Sequence, residues 1–118
     1  MLTKRNLAAA WANLRAAGAP RLILVMVGAS LEYEMPHLRE AVPEAEITTV
    51  RLHASEMTLL ERLRHREVGS GFEHHRRRAV EQASFMAREE DRDGVLVLET
   101  TNKSVPEVAR EVLRGVGW

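Results

Sequence analysis

Six arginines bracket a glycine-containing turn near the middle of the chain, and their type and spacing suggest anion chemistry. They are Arg62, Arg64 and Arg66 before the turn and Arg76, Arg77 and Arg78 after it. Arg62 and Arg66 are four residues apart, so on a helix they share one face. Guanidinium groups that converge repel one another unless an anion neutralises them, and phosphate matches their geometry. The residues alone fit either a phosphate site or a solvated charged face that pairs with nearby glutamates.

The composition limits the class of protein. A chain of 118 residues, 45% hydrophobic and 29% charged, fits one globular domain over residues 1–118. The absence of cysteine excludes a disulfide scaffold and a Cys-based zinc site. With no leader and no run of about eighteen apolar residues, we expect a cytoplasmic protein without a membrane segment. The 17 basic and 17 acidic residues cancel, so any polyanion site must be local, and weak charge repulsion favours self-association.

Apolar periodicity predicts helices that alternate with strands. Helices are expected between Thr3 and Gly18, over about 36–42, after Ser55, over about 73–90, and after the capping box Ser104-x-x-Glu107. Strands are expected over residues 22–27, 47–52 and 95–98, the first as an unbroken apolar run buried on both faces. The order predicts an α/β fold with three layers, in which helices flank a short parallel sheet.

Finer features of the helices also follow from the sequence. Thr3 is expected to cap the first helix, and Pro36 and Pro43 are expected to begin and end the second. The buried stripe of the last helix is predicted to consist of Val105, Val108, Val112 and Val116.

Several common catalytic patterns are missing from the sequence. None of the seven glycines precedes a lysine, so the P-loop motif G-x-x-x-x-G-K-[ST] is absent, as is G-x-G-x-x-G. No G-x-S-x-G elbow supports a hydrolase triad. The five histidines lack metal-ligand spacing and are expected on the surface or in loops. His53, at the end of the second predicted strand, is expected to be a partly buried polar residue rather than a base.

Three stretches of the sequence resemble a known family. They are Val50 to Ser55, Leu60-Glu61-Arg62-Leu63-x-x-Arg66, and Val97 to Ala109. In order and spacing they resemble the C-terminal half of P-loop small-molecule kinases, such as adenylate, shikimate and gluconate kinases and chloramphenicol phosphotransferase. The resemblance covers roughly residues 20 to 118, and it implies ATP as the cofactor.

The resemblance also implies roles for particular residues. A mobile lid would span about residues 62–80, with Gly69 and Gly71 as its hinges. Arg62 would lie on the adenine side and Arg66 on the phosphates, with Arg76 or Arg77 added from the returning lid helix. The turn formed by Thr101, Asn102 and Lys103 would pass the adenine ring and contact it through its backbone. A plain connection between a strand and a helix fits that turn equally well.

The sequence lacks the two elements on which catalysis in the family depends. The Walker A segment and the acceptor base are both missing, so the chain is expected to be catalytically silent alone and to use Mg²⁺ only with the missing half. Such a chain would be a remnant, through truncation, proteolysis or a mis-assigned start. In the family, the P-loop strand lies between the equivalents of the 22–27 and 47–52 strands. Without it, either those two strands pair directly or a second chain fills the gap, which predicts a homodimer or larger assembly.

A second function class stays open at this point. The chain could instead be a non-enzymatic α/β module that forms oligomers or binds a partner, using its acidic segment Glu32–Glu46 and its basic segment Arg51–Arg78. Nucleic acid is not expected as a ligand, because the five aromatic residues are scattered and only Phe72 lies in the basic region.

Overall fold

The computed structural model describes residues 2–26, 31–66, 71–87 and 94–118, which form five helices and two strands. In chain order they are α1 (Leu2–Ala16), α2 (Leu31–Ala41), β1 (Thr49–His53), α3 (Glu56–Arg66), α4 (Phe72–Ala87), β2 (Val95–Glu99) and α5 (Val105–Val116). The chain divides into two compact units, Met1–Ile47 and Thr48–Trp118. These elements confirm the α/β class predicted from the sequence.

The first unit is a helix pair in which α1 packs against α2. Lys4 Nζ lies 2.6 Å from Glu40 Oε1, and this contact lowers the pKa of the Glu40 carboxyl. Gly18 follows α1 with a φ of 86°, a left-handed conformation that ends the helix as predicted. Thr3 lies inside α1 rather than at its N-cap, because the helix already begins at Leu2.

The prediction that Pro36 begins the second helix is wrong, since α2 starts at Leu31 and contains Pro36. A proline inside a helix removes one backbone donor. The earlier start places Glu32 and Glu34 in the first turn, where their charges interact favourably with the helix dipole. Pro43 follows the end of α2, as predicted.

The predicted strand over residues 22–27 is also wrong for its described part. Residues 21–26 have no regular secondary structure, and Val27 lies outside the described residues. Ile23 is 67% exposed and Val25 is 88% exposed. A strand buried on both faces needs hydrogen-bonded neighbours and covering layers. Within the described residues, the sheet contains only β1 and β2.

The second unit contains the sheet. Strands β1 and β2 pair in parallel, with Thr49 opposite Val95 and His53 opposite Glu99. The parallel arrangement is as predicted, although β1 begins two residues later than expected and β2 ends one residue later. Helix α3 packs against α4, and α5 packs against β2. Because side chains alternate along a strand, in-register partners such as His53 and Glu99 share one face of the sheet.

The last helix begins with the predicted capping box. Ser104 Oγ accepts a hydrogen bond from the Glu107 amide at 3.3 Å, and Glu107 Oε2 accepts one from the Ser104 amide at 2.6 Å. The bond to the Ser104 amide lowers the pKa of the Glu107 carboxyl. The two side chains therefore accept hydrogen bonds from backbone amides that have no partner within the helix.

The predicted buried stripe of α5 is not fully buried: Val105 is 84% exposed, and Val108, Val112 and Val116 are half-buried. Helix α5 meets β2 near its C-terminal end, where Gly115 lies against Leu96. At 1.5 Å of rise per residue, Val105 lies roughly 15 Å along the helix from this contact.

The buried apolar residues of the described chain are few and small. They are Ala41, Val42, Ala54 and Leu63. Two polar residues, Arg51 and Thr100, are equally buried, each at 6% exposure. Among the described helices, none combines the length and the apolar character that crossing a membrane would require.

Candidate functional site

The carboxyl ends of β1 and β2 define one edge of the sheet, here called the carboxyl edge. Because the strands are parallel, the chain leaves both at this edge, through Ala54 and Ser55 after β1 and through residues 100–104 after β2. Ligands of open α/β sheets bind outside the carboxyl ends of the strands. The polar groups gathered at this edge are therefore the best candidates for chemistry.

Thr100 connects the two strands and α3 at this edge. Its amide and its hydroxyl both donate to the carbonyl oxygen of His53, at 2.7 and 2.8 Å. The guanidinium of Arg62 donates to Thr100 Oγ1 at 3.0 Å and to the Thr100 carbonyl oxygen at 2.9 Å. Arg62 thus holds the turn that follows β2, and two of its donors are already used by protein groups.

A second network on the same edge centres on Glu99. Its Oε2 lies 2.5 Å from His53 Nδ1, and its Oε1 accepts from the Thr101 amide at 2.9 Å and from the Thr101 hydroxyl at 2.5 Å. The Thr101 hydroxyl in turn accepts from the Ser55 amide at 2.9 Å. Hydrogen bonds from Thr101, followed by the bond to His53, lower the pKa of the Glu99 carboxyl to about 2.

The turn over residues 101–103 continues from these networks, since Thr101 belongs to the network of Glu99. Asn102 has a φ of 59°, a left-handed conformation that asparagine tolerates better than most residues. The Lys103 amide donates to the Thr100 carbonyl oxygen at 3.2 Å, which closes the turn. The Lys103 ammonium lies 3.0 Å from Glu111 Oε2, so its charge is partly balanced from α5.

The arginines that bracket the glycine turn are in different environments. Arg66 lies exposed at the end of α3 and takes part in a polar or electrostatic contact. Arg76 Nε lies 3.1 Å from Glu73 Oε2 on its own helix. Arg77 is exposed, and its side chain makes no hydrogen bond or ion pair with any residue of the described ranges. Arg64 lies over the ring of Phe72, 5.8 Å from its centroid, which links α3 to α4.

The seven predicted site residues therefore fall into two groups. Arg62, Thr101, Asn102 and Lys103 lie together at the carboxyl edge, whereas Arg66 ends α3 and Arg76 and Arg77 lie on α4. Of the predicted lid hinges, Gly71 precedes α4 directly and Gly69 lies outside the described residues. Within residues 2–26, 31–66, 71–87 and 94–118, no group of three or more histidines and carboxylates is arranged to hold a metal ion.

Sequence reasoning missed Glu99 as a partner of His53, and it missed the burial of Arg51. A usable signal existed for the first. His53 and Glu99 each follow directly after a segment that is predicted as a strand of one parallel sheet, 47–52 and 95–98, and such positions meet at one sheet edge. Arg51 lies in β1, and the alternation of apolar and polar residues along this strand does not indicate that its position is buried.

Comparison of the chain with the models of protein families, with curated proteins and with solved structures finds no match. The resemblance to P-loop kinases thus remains a prediction from the sequence.

Proposed function

We propose that the chain is the lid and adenine-side portion of an ATP-dependent P-loop kinase-like protein, a phosphotransferase only when a Walker A segment is supplied. The observation that supports this proposal is the turn of Thr101, Asn102 and Lys103, which follows a parallel strand directly at the carboxyl edge. This edge is where nucleotides bind in α/β sheets.

The turn offers backbone groups suited to a flat base. Asn102 is exposed and left-handed, so the chain reverses direction there with its peptide groups near the surface. Adenine presents one donor and several acceptors at its edge, and backbone amides and carbonyls can match them. Arg62 supports this contact as a positioning residue, because its two bonds to Thr100 fix the start of the turn.

The phosphates of the nucleotide would be bound by exposed arginines of α3 and α4. Arg66 is at the C-terminal end of α3 and Arg77 is in α4, and both residues are exposed. Arg76 would have to exchange its bond to Glu73 for a phosphate oxygen. The pair with Glu73 is exposed and uses only Nε, whereas a phosphate can accept two parallel bonds from one guanidinium group, which favours this exchange once a nucleotide is bound.

Calorimetric titration of the chain with ATP, with and without Mg²⁺, tests this function. We expect saturable binding in the micromolar range that does not require Mg²⁺. The double variant Arg66→Gln with Arg77→Gln should bind about tenfold more weakly, which corresponds to roughly 1.4 kcal/mol.

The double variant Arg110→Gln with Arg114→Gln is the matched control, since it removes the same charge from exposed positions of α5. Its affinity for ATP should match that of the unmodified chain. Absence of any binding heat, or an equal loss in both double variants, would contradict the proposal.

A second candidate function is a partner-binding or homo-oligomeric module, and one observation favours it. Ile23, Leu24, Val25 and Met26 are 45–88% exposed in a segment without secondary structure. Consecutive exposed apolar residues favour association with another surface. In this account the chain forms a homodimer or larger assembly through this segment.

Light scattering of the chain at micromolar concentration tests whether it forms a homodimer or larger assembly. The chain should have at least twice the monomer mass, and Val25→Glu should reduce it to the monomer. Val105→Glu is the matched control, because Val105 is similarly exposed at 84%. A monomeric unmodified chain would exclude the homo-oligomeric module, and it would leave the ATP titration unaffected.

A further inference from the structure

The chain carries both an exposed apolar segment and a sheet with an open edge. The segment is residues 22–26, which have no regular secondary structure, and the edge belongs to β1. We propose that residues 22–26 of one copy pair with the open edge of β1 in a second copy, as a third strand of its sheet. This proposal rests on the homo-oligomeric module described above, and it assigns the surface that the segment meets.

The hydrogen bonding of β1 shows which of its residues face the open edge. The carbonyl oxygen of His53 accepts the Thr100 amide at 2.7 Å, so the backbone groups of His53 point toward the β2 side. In a parallel pair these groups alternate in direction from one residue to the next, so those of Leu52 and Val50 point the other way. On that side the sheet of the described residues has no further strand. Leu52 and Val50 therefore present backbone donors and acceptors to which another strand can bond.

The outer edge of β2 is less suited to an added strand. By the same alternation, the backbone groups of Val97 and Glu99 point away from β1. Glu99 is charged, because hydrogen bonds from Thr101 and the bond to His53 lower the pKa of its carboxyl to about 2. Charged residues on an edge strand oppose pairing with another chain. At the edge of β1, by contrast, Leu52 is apolar and 51% exposed, so a neighbouring strand would cover it.

Residues 22–26 have the properties that an added strand needs. Their sequence, Leu-Ile-Leu-Val-Met, contains no charge, glycine or proline, and its β-branched residues favour strands. Its five residues match the length of β1 and of β2. The segment makes no backbone hydrogen bond to any residue of the described ranges, and Ile23 and Val25 are 67% and 88% exposed. Strand pairing would satisfy these backbone groups and bury the apolar side chains together.

A second copy of the chain is the partner that these two features favour. Every copy carries one apolar segment and one open edge of β1, so two copies can exchange segments reciprocally and form a closed twofold dimer. In strand addition, main-chain hydrogen bonds supply affinity and the alternate side chains supply specificity. The 17 basic and 17 acidic residues leave no net charge to hold two copies apart.

Light scattering of the full chain at micromolar concentration tests the role of the β1 edge. The unmodified chain should be a dimer. Leu52→Lys should be a monomer with the circular dichroism of the unmodified chain, because a lysine on an edge strand prevents another strand from adding. Met57→Lys is the matched control, since it makes the same kind of change at a residue of α3 that is 72% exposed, and it should remain a dimer.

Amide hydrogen exchange supplies a measurement of the backbone pairing itself, and it needs no change in β1. In the unmodified chain, the Leu52 amide should exchange slowly, as should the Arg51 amide, which the alternation directs toward β2. In Val25→Glu, which lacks the apolar segment, the Leu52 amide should exchange rapidly and the Arg51 amide should stay protected.

The outcomes separate strand addition from the module on which it rests. A dimer that persists in Leu52→Lys, or an unprotected Leu52 amide in a dimeric unmodified chain, would overturn strand addition and leave the homo-oligomeric module standing. A monomeric unmodified chain would overturn both.

Discussion

Arg62 donates two hydrogen bonds to a single residue, Thr100, one to the side-chain hydroxyl at 3.0 Å and one to the backbone carbonyl at 2.9 Å. Thr100 is buried, and it also donates twice to the carbonyl of His53. One guanidinium group thus joins α3 to the ends of both strands. This relationship assigns Arg62 to positioning the candidate adenine-side turn, and it assigns phosphate binding to other arginines.

Replacement of Arg62 should destabilise the second unit. Arg62→Gln removes at least one of two bonds to a buried residue, and we expect a loss of about 1–2 kcal/mol. The measurement is urea unfolding followed by Trp118 fluorescence in a Trp11→Phe background, so that only the second unit is observed. Arg77→Gln, at an exposed position without a described partner, should change the free energy of unfolding by less than about 0.5 kcal/mol. Equal effects of the two substitutions would refute the role of Arg62.

The close approach of α5 to β2 predicts a steric effect at Gly115. A Cβ atom there would overlap Cδ2 of Leu96, so any larger side chain must displace the Leu96 side chain. Gly115→Val should destabilise the second unit by about 1–3 kcal/mol through overpacking. Arg114→Val places the same residue at the adjacent exposed position, where only helix propensity changes, at a cost of about 0.5 kcal/mol. The same urea unfolding assay measures both, and a Gly115→Val cost no larger than that of Arg114→Val would disprove the contact.

The low pKa of Glu99 predicts an acid-dependent loss of stability. Thr101 and His53 lower this pKa from 4.5 to about 2, so the unfolded state binds the proton more tightly than the folded state. The stabilisation is therefore complete above pH 4.5 and disappears as the pH falls toward 2. In Glu99→Gln, the free energy of unfolding should fall less over this range than in the unmodified chain.

Glu46→Gln is the control for this comparison, because Glu46 is exposed outside the helices and strands. The lowered pKa values of Glu40 and Glu107 act in the same direction, but they are present in all three chains and cancel in the difference. A Glu99→Gln curve parallel to that of the unmodified chain would show that Glu99 makes no such contribution.

Local signals predicted much of the second unit. The capping box at Ser104, the N-cap at Ser55 and the apolar run of β2 each depend on a few neighbouring residues, and the structure confirms them. The prediction of a strand over residues 22–27 was wrong for the opposite reason. An apolar run is favourable as a strand only where other parts of the chain cover it. Whether such neighbours exist depends on residues far away in the sequence.

The candidate site was predictable in part. The resemblance brought Arg62 and the turn of Thr101, Asn102 and Lys103 into one expected site, and these residues lie together at the carboxyl edge. The bonds of Arg62 to Thr100 and of His53 to Glu99 connect residues 38 and 46 positions apart. Such contacts depend on strand register and helix placement, which periodicity does not specify.

Backbone amide NMR during an ATP titration tests the central claim most directly. We expect saturable shifts at the amides of Thr101, Asn102 and Lys103, following one binding curve with the amides near Arg66 and Arg77. The amides of α5 near Arg110 should not move with that curve. Absence of shifts at the turn, or shifts at arginine-rich segments that increase linearly without saturation, would contradict nucleotide binding at the carboxyl edge.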